Sequence, residues 1–238
     1  MLTYISNLER CAFSEEESFE ALRRNNLLPP ADAGRNAFNN ELALIRQLPE
    51  EWKREYYSRE RMALKFTHGD NEVTGIFECS SRMDRQNIVC FSSCKHKFIV
   101  DALIRHHGLC MVSDAETVTT SLMTLQNGKW TQKVWSSPGK GGESWNFWDE
   151  FFAMYLASDG RIPALFPQTL YELVYKFSGG NANAYVLKNI IFPQEWKENA
   201  AIRSCFTEQA LQVPEIQREL LAFGKLFYGM DMTGVFDE

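Results

Sequence analysis

Hydrophobic spacing changes twice along this chain, and the order of the changes limits what it can fold into. Near the start, apolar residues recur at helical spacing, as in the stripe Phe38, Leu42, Ile45 and Leu48. Between about residues 61 and 136 the period falls to two, as in "RMALKFTHGDNEVTGIFEC" and "ETVTTSLMTLQNGKWTQKVW". From Glu143 onward helical spacing returns. Helices, then strands, then helices predict an α+β fold. No polar linker or repeat interrupts the 238 residues, so one domain is expected over 1–238. Its parts are a helical segment 1–60, a central mixed sheet with one crossover helix over 61–136, and a helical segment 143–238.

Local signals refine this outline. Ser14-Glu15-Glu16-Glu17 has the spacing of a capping box and predicts a helix to about Asn25, which Pro29-Pro30 cannot continue. "PPADAGRN" reads as a loop, followed by a helix over Asn36–Gln47 and another opening at Pro49. His68-Gly69-Asp70-Asn71 and Asn127-Gly128 read as tight turns of two hairpins. "NIVCF" and "LCMVS" read as strands, and "CKHKFIVDALIRHHG" as a helix stopped by Gly108. Later helices are expected at Glu143–Ala157, Gln168–Phe177, Ala182–Ile191, Pro193–Ala200 and Pro214–Tyr228.

Composition narrows the functional classes. At 45% hydrophobic and 24% charged, the chain is globular and not disordered. A net charge of −6 supplies no general basic face for nucleic acid, so nucleic acid is not an expected partner. "MLTYISNLERCAFSEEE" lacks the basic start and apolar centre of a signal peptide. No apolar run reaches the roughly 18 residues of a membrane span. The six cysteines are therefore expected as reduced thiols, in the cytoplasm or in a host cytosol after delivery.

Four constellations bear on chemistry. The first is Gly139-Lys140-Gly141-Gly142, between a strand and a helix, where backbone amides and one cation could cradle a phosphate. Neither a P-loop nor a dinucleotide-binding spacing is present, and Glu143 already satisfies the helix start. The second is Cys94, near a helix start that would lower its thiol pKa, with His68, His96, His106 or His107 as base and Asp101 or Asp114 as orienting acid. Cys79, Cys90, Cys94 and His96 lack the paired knuckles of a zinc site, so no metal is expected. The third is a run of helix, three strands, helix and strand, the outline of the PD-(D/E)XK nucleases, with Asp70 and Glu78 as its acids. The lysine of the E-x-K motif is replaced, since Ser80 follows Glu78-Cys79, and Asp70 is explained as a turn residue. The fourth is the aromatic helix "ESWNFWDEFFAMY", whose Trp145 and Trp148, with Phe236 of the tail, are candidate partner anchors.

"LPEEWKREY" resembles the leading helix of SUKH-type immunity proteins, which bind toxins, although the glycine-rich turn that follows that helix is absent. These readings together favour a protein-binding module, whether adaptor, inhibitor or immunity-type factor. It would act through an aromatic surface, without catalysis or cofactor, with another protein as partner and no membrane. The alternative is a hydrolase or transferase using Cys94 with a histidine, or a phosphate site at Gly139–Gly142.

Overall fold

The computed structural model describes residues 13–50, 52–53, 60–79, 84–90, 95–126, 128–140, 142–157, 162–180, 183–232 and 235–236. The fold is α+β. Helix α1 (Glu15–Arg24) opens on the expected capping box, in which Ser14 Oγ accepts from the Glu17 amide and the Glu17 carboxylate accepts from the Ser14 amide at 2.8 Å. Helix α2 (Ala31–Arg46) begins at Ala31, inside the expected loop. Alanine favours helix and Asp32 suits the positive end of the dipole, so the start moves upstream despite Gly34. Phe19 and Leu22 of α1 bury against Phe38, Leu42 and Ile45 of α2. The helix expected from Pro49 is described only at residues 50 and 52–53. Of the SUKH-like stretch, residues 51 and 54–56 lie outside the described residues.

Strands β1 (Glu60–His68) and β2 (Asn71–Cys79) pair antiparallel, with His68 opposite Asn71 across the expected turn. Strand β3 (Arg85–Cys90) pairs parallel with β4 (Thr117–Gln126), which pairs antiparallel with β5 (Lys129–Pro138). The mixed sheet thus has the order β3-β4-β5. The second hairpin turns at Gly128, where φ is +73°. Parallel pairing of β3 and β4 requires a crossover, and α3 (Lys95–Val112) supplies it.

Helix α3 corrects one expectation. Gly108 does not stop it, and "LCMVS" is not a strand, because residues 109–112 continue the helix. A Cβ at Gly108 would lie 2.9 Å from Leu64 Cδ2. The glycine therefore lets β1 approach α3 closely. Leu109 and Cys110 on that last turn bury with Val118 of β4.

The sheet separates two layers. On one face Met123, Val89 and Trp130 pack with Leu48 and Trp52, and Trp130 Nε1 donates to the Leu44 carbonyl at 2.8 Å. On the other, Ile88, Cys90 and Leu122 enter the main core with α3, α4 (Gly142–Ala157) and α5 (Pro167–Ser178). The chain continues through α6 (Ala184–Val186), a π turn (Leu187–Ile191), α7 (Phe192–Glu198), α8 (Ala200–Cys205), a 3-10 turn (Ala210–Gln212) and α9 (Pro214–Tyr228). The break expected between Ile191 and Pro193 is instead this π turn, whose wider spacing accommodates Pro193 without ending the helical path.

Candidate functional site

The histidines and thiol that sequence reasoning sought to combine are found on α3, with a different cysteine. His106 Nδ1 lies 3.0 Å from Thr120 Oγ1 of β4, and its Nε2 lies 3.9 Å from Cys110 Sγ, one helical turn on. His107 Nδ1 lies 3.1 Å from Ser144 Oγ of α4, and its ring stacks on Phe147 with centroids 4.0 Å apart. His106, Cys110, Thr120 and Ser144 are all fully buried.

Burial sets the chemistry of this cluster. It lowers His106 and His107 to about 4, so both imidazoles are neutral at neutral pH. It raises the Cys110 thiol, which therefore stays protonated and a poor nucleophile. Asp101 pairs with Arg105 at 3.0 Å on the outer side of the helix, and the ring nitrogens of His106 are engaged by Thr120 and Cys110. Cys94 lies outside the described residues, as does the side chain of His96. The cluster ties α3 to β4 and α4.

The glycine turn is engaged by its own fold. The Gly139 amide donates to the Glu116 carbonyl at 3.2 Å, and the Lys140 amide donates to the Cys110 carbonyl at 2.7 Å. A Cβ at Gly139 would lie 1.9 Å from the Ala115 carbonyl oxygen, so this glycine permits a close backbone crossing. Lys140 pairs with Asp114 across the turn. Gly141 lies outside the described residues, and Gly142 is exposed at the start of α4.

The aromatic anchors separate by exposure. Trp148 is buried among Phe66, Phe147, Phe151 and Phe152, and Phe236 is buried under Lys188. Both rings are spent inside the fold: α4 is apolar over much of its circumference because β1 and α3 both cover it. Trp145 is 41% exposed and stacks on His68 at 5.0 Å. His68 is buried, and its Nε2 meets Asp149 at 2.7 Å.

One further cleft was not anticipated from the sequence. A cleft of about 260 Å³ is lined by Ile99, Leu122, Thr124, Thr131, Lys133 and Tyr171, together with Gln132. Strand alternation puts Thr131, Lys133 and Trp135 on one face of β5, opposite Thr124, Leu122 and Thr120 of β4. Lys133 Nζ sits 5.3 Å from the Trp135 ring centroid and 6.0 Å from that of Tyr228. Burial lowers the Lys133 ammonium and raises the Tyr171 and Tyr228 phenols. On α5, Tyr171 and Tyr175 stack with centroids 6.4 Å apart and planes within 9°. Tyr175 is 67% exposed, so the pair forms a step from cleft to solvent. The legible signal was the strand "KVW", which puts a cation and an indole on one face.

Among the described residues no helix is long and apolar enough to cross a membrane, and no group of His, Cys, Asp and Glu is arranged to hold a metal ion. No curated protein matches the chain. A family model, the RecC C-terminal domain, matches residues 2–176. RecC is a component of a DNA-repair nuclease and helicase complex. This finding overturns the expectations of a protein-binding adaptor, inhibitor or immunity-type factor and of a partner set without nucleic acid. The acidic net charge misled because it averages over the whole surface, whereas contact with DNA depends on local groups. The match covers more than half of the sequence, and the chain belongs to the RecC C-terminal domain family.

Proposed function

We propose that this protein works within a DNA-processing assembly of the RecBCD kind, where it contacts DNA and companion subunits. The family match over residues 2–176 carries the reading. The fold order supports it by analogy. Helices α1 and α2, strands β1 to β3, helix α3 and strand β4 follow the outline that the sequence shares with PD-(D/E)XK nucleases, with β3 and β4 parallel across the crossover. The setting would be the bacterial cytoplasm. Residues 1–238 are read as one domain: the main core draws on side chains from Ile88 to Phe236, and Leu48 and Trp52 pack on the opposite face of the same sheet.

Co-expression with companion subunits of the RecB and RecD type tests the reading. The expected result is a stable complex on size exclusion, with DNA unwinding that depends on this chain. Companions that assemble and unwind DNA equally well without it would defeat the proposal.

A further inference from the structure

The Lys133 cleft has four properties that together select a ligand. Its mouth carries a cation, and among the described residues no carboxylate lies within ion-pairing distance of Lys133. Ile99 and Leu122 make an apolar wall. Tyr228, whose ring lies beside the ammonium, has a buried hydroxyl without a hydrogen-bond partner among the described residues. The Tyr171–Tyr175 step offers an open aromatic face at the rim.

A lysine presents a point charge suited to a phosphate. An exposed tyrosine face suits an unpaired base, since every base has a π surface. A volume near 260 Å³ suits one nucleotide unit and is too small for a double helix. We propose that this cleft seats one nucleotide of single-stranded DNA, with its phosphate on Lys133 Nζ and its base against Tyr175. This rests on the DNA-processing reading above and deepens it to a site. Glu172, adjacent in sequence to Tyr171, disfavours a second phosphate on that side.

The test uses the full chain and fluorescence anisotropy with labelled oligothymidylate, a matched duplex, and thymidine monophosphate as competitor. Lys133→Met keeps the apolar stem, Lys133→Arg keeps the charge, and Lys197→Ala is a control at an exposed lysine paired with Glu208. Unchanged thermal melting confirms folding of each. The expected result is binding of the single strand over the duplex, weakened about tenfold by Lys133→Met and by Tyr175→Ala. Lys133→Arg and Lys197→Ala retain it. The salt slope of log K falls by about 0.7 in Lys133→Met, the loss of one phosphate contact. The inference is overturned by no oligonucleotide binding, by Lys133→Met binding as tightly as wild type, or by equal duplex binding. Tighter binding of the free mononucleotide than of the strand also overturns it. Co-purification with companion subunits reads the assembly role separately. If the companions bind and Lys133→Met has no effect, the cleft assignment alone falls.

Discussion

Glu195 holds the first turn of α5 through Thr169. Its Oε2 accepts from the Thr169 amide at 2.8 Å and from the Thr169 hydroxyl at 2.7 Å, while Oε1 accepts from the Gln168 amide at 2.9 Å. Phe166 at the cap position offers no oxygen of its own, so a side chain 26 residues downstream from Thr169 does the capping. Glu195 is 4% exposed, and burial raises its pKa against the lowering effect of these three donors.

Glu195→Ala therefore strands two buried amides and a hydroxyl. A loss of about 3 kcal/mol is expected in urea-unfolding free energy, the scale for hydrogen bonds to a charged acceptor. A change below about 1 kcal/mol would show that water replaces the cap.

The turn after β5 gives opposite signs at adjacent positions. Gly139→Ala forces a Cβ against the Ala115 carbonyl, where backbone must move, and destabilises by more than about 2 kcal/mol. Lys140 holds φ at +51°, and Lys140→Gly relieves that strain for a gain of about 1 kcal/mol. The exposed Lys140–Asp114 pair that it removes is worth little. Thermal melts of the two variants should move in opposite directions.

His106 and His107 make the fold sensitive to acid. Both are held near 4 in the folded state, below the ordinary histidine value, so the unfolded chain binds more protons between about pH 6.5 and pH 4. Stability is full above that window and falls as pH drops through it. The slope should approach 2–3 kcal/mol per pH unit when both titrate, an estimate on the order of two protons. His107→Phe keeps a ring on Phe147 and should roughly halve the slope, measured by urea melts at stepped pH.

Thiol reactivity should follow exposure. Cys205 is exposed, whereas Cys90 and Cys110 are buried and the Cys110 thiol is pushed up by burial. Timed alkylation with peptide mapping should label Cys205 promptly in native protein. Cys90 and Cys110 should be labelled only on unfolding.

The two tryptophans of α4 should separate by packing. Trp148→Ala empties a site enclosed by Phe66, Phe147, Phe151 and Phe152 and should destabilise by about 3–5 kcal/mol. Trp145→Ala removes a half-exposed ring from His68 and should lose less than half of that. Equal effects in denaturant titration would contradict the assignment of Trp148 to the core.

What the sequence made legible was local. The Ser14–Glu17 box, the hairpin at Gly128 and the helix entered at Pro214 depend on neighbours within a few residues. What it concealed was set by distant contacts. Gly108 reads as a stop until Leu64 is known to lie on it. Trp148 reads as an anchor until β1 and α3 are packed over its helix. Cys110 was passed over because a helix stopped at Gly108 hides its place one turn after His106. Lys133 was legible only as a cation beside an indole in "KVW"; the rest of its surroundings comes from Tyr171 and Tyr228, far along the chain. The family itself was not read from any short motif.

The cap on α5 comes from beyond the segment that the RecC family model covers. Residue 176 is where that match ends, yet Glu195 reaches back to Thr169, Glu219 reaches back to the Ala164 amide, and Phe192 packs on Phe166. A polypeptide trimmed to the family boundary would thus be left with a frayed final helix and a bare greasy flank. Its aggregation would reflect a missing lid over Phe166 and Leu170, and any biochemical dissection should keep residues 177–236 in cis.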